Sequence, residues 1–288
     1  MTEKPLVSVI INCYNGEKYL REAIDSVIAQ TYENWELVFW DNQSTDSTRE
    51  IVENYHNPKI HYCYASEHTP LGEARNLAVE KANGEYINFL DADDVWMPEK
   101  LEKQIALVIP GKVEVVYTNF DVLYDKNQPV NERMLNYYRH LKKRVFNKKL
   151  SFYENLLIHN SIIFSSVLFN KELFCSVGGI NVKFNQNEDY EILLKTALKT
   201  EALSTGDKDV LYRIHSNNNS SKNGSAYLIE NREIYKELPA SKALENAKIA
   251  NEVRYAIFLY RNGYYWNALL HFIKFGNFFQ LFSIIRNR

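Results

Sequence analysis

The sequence predicts an α/β fold with a mostly parallel sheet flanked by helices, and three observations support this prediction. Apolar, β-branched runs alternate with segments of helical periodicity over the first 119 residues. The first run, at 6–13, is apolar at nearly every position, which is typical of a strand buried on both faces. Polar residues directly follow three of the runs, at the edge where such sheets bind their ligands.

Five predicted strands alternate with four predicted helices in this part of the chain. The strands are expected at 6–13, 35–40, 60–64, 86–90 and 113–118. The helices, in which apolar residues recur at helical spacing, are expected at about 19–30, 44–55, 73–83 and 98–108. Gly84 follows the third helix and suits a left-handed cap, and Pro98 suits the first turn of the fourth helix.

The alternation ends after residue 119. The stretch at 120–224 is mixed, whereas 225–288 has the pattern of helices without a strand signal. We therefore expect one domain over 1–224, with halves at 1–119 and 120–224, followed by a helical C-terminal extension.

The composition is that of a globular protein with a near-neutral charge. The 288 residues include 34 Lys and Arg against 36 Asp and Glu, and 45% of them are hydrophobic. This balance excludes a disordered chain and a generically basic nucleic-acid-binding protein. Because Cys13, Cys63 and Cys175 lack metal-binding spacing, we expect reduced, buried cysteines in a cytoplasmic protein. We expect neither a signal peptide nor a transmembrane helix.

Two segments are basic despite the near-neutral total. Residues 125–150 carry eight Lys or Arg and two acids, and residues 253–288 carry five Lys or Arg and no acid. The second segment also holds 11 aromatic residues. A basic, aromatic helical segment suits the surface of an anionic membrane. It suits equally a cap on the α/β domain or an interface in a homo-oligomer.

The segment Asp91-Ala92-Asp93-Asp94 is the most informative chemical motif. It follows a predicted strand end and places three carboxylates within four residues. Crowded carboxylates repel one another and favour a hard divalent cation such as Mg²⁺ or Mn²⁺, which also accepts phosphate oxygens as ligands. The alternative is a solvated acidic turn in which one Asp caps the next helix.

A second acidic pair, Glu188-Asp189, begins a helix predicted at about 189–198. One carboxylate of such a pair can act as the general base toward a hydroxyl group while its neighbour orients it. The alternative is that the two charges only complement the dipole of the helix.

Several ordered motifs together resemble the family 2 glycosyltransferases, which are nucleotide-sugar-dependent enzymes with the Rossmann-like GT-A fold. The motifs are Val7–Asn15, Asp41–Asp46, Gly84–Leu90 with the DxD segment that follows it, and Gly178-Gly179 ahead of the Glu-Asp pair. The resemblance covers about residues 5–215. It implies a nucleotide-binding half over 1–119 and an acceptor-side half over 120–224.

The resemblance also implies a role for each candidate residue. Tyr14 would stack on the nucleobase, and Asn42 would contact the base where the family more often has a second acid. Arg75 would lie near the diphosphate. Asp189 would be the catalytic base, with Glu188 beside it. The implied metal ligands are Asp93, Asp91 and His215, and the implied nucleotide contacts are Asn12, Tyr14, Asn15, Asn42, Arg75, Asp91 and Ala92.

The implied function is a metal-dependent, inverting glycosyltransferase that uses Mn²⁺ or Mg²⁺. It would transfer a hexosyl or N-acetylhexosaminyl group from a nucleotide diphosphate, with UDP favoured, to a hydroxyl group of a glycan or lipid-linked acceptor. Such acceptors occur in bacterial-type surface polysaccharide and glycoconjugate synthesis. This implies a cytoplasmic enzyme, peripheral on the inner face of the cell membrane, without a nucleic-acid partner.

Two other functions remain open at this point. A sugar nucleotidyltransferase would need a Gly-rich, basic phosphate loop after the first strand, where the sequence instead has Asn12–Gly16. A non-catalytic nucleotide-sugar-binding protein would not need both Asp93 and Asp189. A dinucleotide oxidoreductase is disfavoured because no GxGxxG follows the first strand.

Overall fold

The computed structural model describes residues 4–124, 132–142, 146–215, 218 and 225–275. The chain divides into two compact units. The first unit comprises residues 1–146 and 161–218, and the second comprises 147–160 and 219–288. Parts of both basic segments lie outside the described residues.

Within the described residues, the first unit contains a sheet of eight strands. These are β1 (Val7–Cys13), β2 (Trp35–Asp41), β3 (Ile60–Tyr64), β4 (Tyr86–Phe89), β5 (Val95–Trp96), β6 (Val113–Tyr124), β7 (Val167–Asn170) and β8 (Glu201–Ile214). Their order is β3-β2-β1-β4-β7-β6-β8-β5. The first four strands in this order are parallel, β7 is antiparallel to both neighbours, β8 is parallel to β6, and β5 is antiparallel to β8. The predicted mostly parallel sheet is confirmed.

Helices flank this sheet, as the sequence predicts. In the first unit they are α1 (Leu20–Ile28), α2 (Thr48–Glu53), α3 (Leu71–Lys81), α4 (Lys100–Leu107), α5 (Glu132–Leu141), α7 (Lys171–Ser176) and α8 (Glu188–Ala197). A short 3₁₀ helix, Phe164–Ser166, precedes β7. In the second unit they are α6 (Phe152–Ile158), α9 (Ala226–Glu237), α10 (Lys242–Arg261) and α11 (Tyr265–Phe275).

Burial explains why the centre of the sheet follows the sequence pattern. Every residue of β2 is buried, and so is every residue of β1 except the partly buried Asn12. The inward face of α1, which includes Leu20, Ile24 and Val27, has no solvent exposure. Burial of such side chains is the main favourable contribution to folding, about 1.5–3 kcal/mol each.

The later strands of the sheet differ from the prediction. β6 continues to Tyr124, well past residue 118, because it pairs with β8 along its whole length. Neither β7 nor β8 is apparent from local pattern. The first half of β8 is mostly exposed, and β7 has only four residues, so their strand conformation depends on pairing with distant parts of the chain.

Gly84 serves a different purpose from the predicted left-handed cap. The third helix ends with Ala82 in an extended conformation, and Gly84 has no positive φ. A β-carbon at Gly84 would lie 2.6 Å from the backbone nitrogen of Ser8. The position therefore requires glycine because β1 approaches it closely.

The three cysteines are free, but only Cys13 is fully buried. Cys63 is partly buried and Cys175 is exposed, so the expectation of buried cysteines is wrong for Cys175. It lies on the outer side of α7, whose buried residues are Leu173 and Phe174.

The second unit consists of helices in the part that the structure describes. Polar pairs join its helices: Asn231 of α9 donates to Asn251 of α10 at 3.1 Å, and Arg232 forms two hydrogen bonds of 2.8 Å with Glu252. Among the described helices, none combines the length and the apolar character that crossing a bilayer requires.

Candidate active site

The polar residues that follow β1, β2 and β4 lie at the carboxyl-terminal edge of the parallel strands. The acidic segment forms a turn between β4 and β5 in which Asp91 and Asp93 are partly exposed and Asp94 is buried. The loop after β1 approaches this turn, because a β-carbon added at Gly16 would lie 3.6 Å from the β-carbon of Ala92. The edge therefore brings together segments far apart in sequence.

Arg75 connects the two acidic clusters that the sequence identifies separately. Its guanidinium lies 3.0 Å from Oδ1 of Asp91 and 3.2 Å from Oε1 of Glu188. The side chain is buried, and the guanidinium lies 4.6 Å from the ring centroid of Phe164. A buried, doubly paired arginine holds both clusters in fixed positions. The DxD segment and the Glu-Asp pair thus belong to one site.

Asp93 and His215 form the second important contact of the site. Nε2 of His215 lies 2.8 Å from Oδ2 of Asp93. Asn218 supports both residues: its Oδ1 accepts the backbone N–H of His215 at 2.6 Å, and its Nδ2 donates to Oδ2 of Asp93 at 3.4 Å. The sequence gives no sign of the role of Asn218.

The Asp93–His215 pair fits a divalent cation that keeps most of its coordination positions for other ligands. Among the described residues, no three His, Cys, Asp or Glu side chains gather into a group that could hold a metal ion. Mg²⁺ and Mn²⁺ in phosphate-binding sites use one or two protein carboxylates and complete their shells with water and phosphate oxygens. One carboxylate and one imidazole suit that partial coordination.

Asp94, the third acid of the segment, holds the turn in place from inside. Its Oδ2 accepts from the hydroxyl of Ser165 at 2.6 Å, and its Oδ1 accepts from the backbone N–H of Arg213 at 3.0 Å. Burial, followed by the charges of Asp93 and Asp91, raises the pKa of Asp94 well above its usual range. The acidic turn is therefore built around a buried carboxyl group and not simply solvated.

Ser165 and Arg213 fix the turn from two sides. Ser165 Oγ also accepts the backbone N–H of Asp91 at 3.2 Å, and its carbonyl accepts Nε1 of Trp96 at 2.9 Å. Arg213 donates through Nε to the carbonyl of Asp93 at 2.7 Å. Neither residue is identified by a local motif, because Ser165 reaches the turn from the 3₁₀ helix and Arg213 from β8, each 70 or more residues later in the chain.

Ser165→Ala is expected to lower stability by about 1–3 kcal/mol, because it removes a partner from the buried carboxyl of Asp94 and from the N–H of Asp91. We further expect weaker Mn²⁺ binding, since the turn that carries Asp93 loses one support. Urea unfolding and Mn²⁺ titration by electron paramagnetic resonance measure the two effects. Ser166→Ala is the matched control, because that buried hydroxyl donates within its own turn, to the carbonyl of Ile163, and among the described residues it makes no hydrogen bond to the acidic turn. Equal Mn²⁺ affinity in the two variants would contradict the role of Ser165.

Asp189 has the properties of a proton acceptor near neutral pH. It lies in the first turn of α8, where its Oδ1 accepts the backbone N–H of Tyr190 at 2.6 Å. Burial, followed by the charge of Glu188, raises the pKa of Asp189 to about 7. Burial also raises the pKa of Asp91, against the opposing effect of Arg75. A simple dipole role would not need a partly buried acid beside a second acid.

The residues predicted to contact the base have different surroundings. Tyr14 is 55% exposed and packs edge-on against His68 at 4.5 Å between ring centroids. Nδ2 of Asn12 is buried and has no hydrogen-bond partner among the residues that the structure describes, which leaves a donor at the end of β1. Nδ1 of His68 lies 2.8 Å from the carbonyl oxygen of Asn42, to which its N–H donates in the Nδ1-protonated tautomer. Tyr14 and His68 thus form an exposed aromatic pair at this edge.

Asn42 and Asn15 take part in contacts within the protein. The Asn42 amide donates to the carbonyl of Thr69 at 2.7 Å and accepts the N–H of Thr69 at 3.2 Å. Oδ1 of Asn15 accepts the N–H of Thr45 at 2.8 Å, which joins the loops after β1 and β2. Their predicted contacts with a nucleotide stay predictions, and these bonds give both residues a structural role as well.

A sequence model described as Glycosyl transferase family 2 matches residues 8–174, which is more than half of the chain. The match spans β1 to α7 and includes the DxD turn, Arg75 and Ser165.

Relatives and a solved structure agree with this match. TuaG of Bacillus subtilis, a glycosyltransferase assigned to teichuronic acid biosynthesis, is 37% identical over 131 residues, 45% of this chain and 52% of TuaG. WfgD of Escherichia coli, a UDP-Glc:α-D-GlcNAc-diphosphoundecaprenol β-1,3-glucosyltransferase, is 37% identical over 118 residues, 41% of this chain and 47% of WfgD. The chain thus spans about half the length of these relatives.

The fold is similar to that of the mannosyltransferase PcManGT from Pyrobaculum calidifontis, solved in complex with GDP-Man and Mn²⁺. The TM-score is 0.66 at 18% identity, and the similarity covers 99% of this chain and 80% of PcManGT. The predicted GT-A fold is confirmed.

Proposed function

The chain belongs to glycosyl transferase family 2, and on that premise we propose that it transfers a sugar from a nucleotide diphosphate to a hydroxyl group of an acceptor. The observation that carries the proposal is the position of Arg75 between Asp91 and Glu188. It joins a turn suited to a cation and diphosphate with an acid suited to proton transfer. Sugar transfer needs the cation site for the departing diphosphate and the acid for the attacking hydroxyl group.

Asp189 acts as the general base in the proposed reaction. It takes the proton from the acceptor hydroxyl while that oxygen forms a bond to the anomeric carbon, and the bond from that carbon to the nucleoside diphosphate breaks. Attack from the side opposite the leaving group inverts the configuration at this carbon. Glu188 is held by Arg75, so Asp189 is the member of the pair left for this role.

Asp93 and His215 would hold the divalent cation, Mn²⁺ or Mg²⁺. When bound, the cation supplies positive charge that stabilises the departing diphosphate. Asp91 is held by Arg75 at 3.0 Å and is placed for the ribose or for water around the cation. Tyr14 offers its exposed ring to the base, and Asn12 offers at the same edge a donor that no described residue engages.

The donor we propose is a UDP-hexose or UDP-N-acetylhexosamine. The relative WfgD uses UDP-Glc by its name, which supports UDP as the nucleotide. The acceptor we propose is a glycan or a lipid-linked saccharide in surface polysaccharide synthesis, because TuaG and WfgD act in such assemblies by their names. The proposed location is the cytoplasm, at the inner face of the membrane where such acceptors are built.

The transfer rate is expected to fall as the pH drops below about 7. The pKa of Asp189 is raised to about 7, so below that pH the carboxyl group carries a proton and cannot accept another. The value of kcat/KM should then fall tenfold per pH unit. Steady-state rates from pH 5 to 9 at saturating Mn²⁺ measure this. A profile that is flat from pH 5 to 8 would contradict a base with this pKa.

A panel of nucleotide sugars with Mn²⁺ and a pool of lipid-linked and glycan acceptors tests the proposed function. Release of a nucleoside diphosphate, dependent on acceptor, supports transfer. Release of pyrophosphate from a sugar phosphate and a nucleoside triphosphate would instead support the nucleotidyltransferase alternative. Saturable donor binding without turnover would support the non-catalytic alternative.

A further inference from the structure

The outer face of α11 is apolar and strongly exposed. Trp266 is 77% exposed, Leu270 is 65% exposed and Ile273 is 70% exposed. Tyr265 and Leu269 are also exposed and lie on the same side, since the five positions span an arc of about 140° at about 100° per residue. We name these five residues the α11 face.

Contacts on its opposite side fix the orientation of α11. Ala268 is buried, and Nε2 of His271 lies 2.7 Å from Oε2 of Glu252 on α10. Glu252 is also paired with Arg232 of α9 at 2.8 Å. Because these polar contacts hold one side of the helix against its neighbours, the exposure of the α11 face is a consequence of how the unit packs.

Cations and aromatic hydroxyls surround the α11 face. Arg261 precedes the helix and Lys274 lies in its last turn, and both are exposed. Tyr260 and Tyr264, just before the helix, are 62% and 58% exposed. Residues 253–288 contain five Lys or Arg and no acid. Tyr and Trp rings with flanking cations are typical of helices at a membrane surface.

We propose that the α11 face binds the surface of an anionic lipid bilayer. Leu270 and Ile273 enter the acyl region, and Trp266 lies at the level of the headgroups. Arg261 and Lys274 pair with anionic headgroups. The helix lies in the plane of the interface, where its apolar side leaves water and its buried side remains against α10.

The charge of the segment distinguishes a lipid surface from a second copy of this chain. A two-fold interface places the same patch against itself. Such an interface would bring the two cations that flank the α11 face, Arg261 and Lys274, towards their own copies, and residues 253–288 contain no acid. Anionic lipids carry the charge opposite to that of these two side chains.

Flotation of the full chain with vesicles tests this proposal, and it needs no sugar donor, so its failure is distinct from failure of the transfer reaction. Vesicles of phosphatidylcholine alone are compared with equal mixtures of phosphatidylcholine and phosphatidylglycerol. The wild-type protein is expected to float with the anionic vesicles and to bind less at high salt, where charges are screened.

Two variants separate the apolar and the charged contributions. Leu270→Gln with Ile273→Gln should lower partition at least about a hundredfold, since each aliphatic side chain accounts for tenfold or more. Arg261→Gln with Lys274→Gln should lower partition into anionic vesicles about fivefold per charge removed, and should not change partition into vesicles of phosphatidylcholine alone. Ile229→Gln on α9 is the matched control, because Ile229 is 46% exposed but lies outside the α11 face. Circular dichroism checks that the exposed substitutions leave the fold unchanged.

Several results would overturn the proposal. They are absence of the wild-type protein from floated anionic vesicles, equal flotation of the Leu270→Gln/Ile273→Gln variant, and an equal loss in Ile229→Gln. A dimer by light scattering that the double variant converts to a monomer, without flotation, would instead assign the α11 face to a second copy of the chain.

Discussion

Replacing Asp189 with asparagine is expected to lower the transfer rate by a factor of about 10²–10⁴. The substitution keeps the size of the side chain and an oxygen that can accept the N–H of Tyr190, now 2.6 Å from Oδ1. It removes the proton-accepting carboxylate. The rate of nucleoside diphosphate release with acceptor present measures the loss, and donor affinity should stay near that of the wild type because the proposed role of Asp189 is toward the acceptor hydroxyl.

Measuring the stability of Asp189→Asn distinguishes loss of the base from loss of the fold. Because the pKa of Asp189 is raised to about 7, above its ordinary value near 4, the folded chain favours the protonated carboxyl group. The negative charge of Asp189 therefore lowers the free energy of unfolding. This loss is absent below about pH 4, grows between about pH 4 and 7, and is complete above about pH 7. Asp189→Asn should therefore be at least as stable as the wild type at pH 8. Full activity, or loss of activity through unfolding at pH 8, would contradict the assigned role.

Replacing Asp93 with alanine is expected to lower the transfer rate on the order of a thousandfold, because loss of a cation at the diphosphate removes several kcal/mol of stabilisation. The substitution leaves His215 without its carboxylate partner at 2.8 Å. It also leaves the buried supports of the turn, Ser165 and Arg213, in contact with Asp94. Titration of Mn²⁺ in the presence of UDP should show weaker binding by the variant.

Asp207→Ala is the control, because it also removes an aspartate, but one that lies outside the DxD turn. Asp207 pairs with Lys103 at 2.9 Å and is more than half exposed, so its removal should change neither the rate nor Mn²⁺ affinity. If Asp93→Ala retained Mn²⁺ binding and the rate of the control, the DxD turn would not be the cation site.

The first half of the fold follows from local sequence, and the reason is physical. β1 and β2 are buried on both faces, so their apolar runs predict strands directly. β8 is exposed over its first half and takes its conformation from β6, which lies about 90 residues earlier in the chain. The local sequence pattern does not indicate with which distant strand a segment will pair.

In the candidate site, too, the sequence predicts some residues, whereas contacts between distant parts of the chain appear only in the folded structure. Asp93 and Asp189 stand in short acidic motifs, and the sequence identifies both. Arg75 reaches Glu188 across 113 positions, and Ser165 reaches Asp94 across 71 positions. Asn42 belongs to a recognisable motif, but its amide bonds to Thr69, which only the folded chain brings to it.

Thermal unfolding with UDP and Mn²⁺ is the most direct test of the central claim, that this chain binds a nucleoside diphosphate through a cation at Asp93. A ligand at a hundred times its dissociation constant stabilises the folded state by about 2.7 kcal/mol. We predict a clear rise in the unfolding midpoint with UDP and Mn²⁺ together, little with either alone, and none in Asp93→Ala. No rise with any of UDP, GDP, dTDP, CDP or ADP in the presence of Mn²⁺ would contradict the claim.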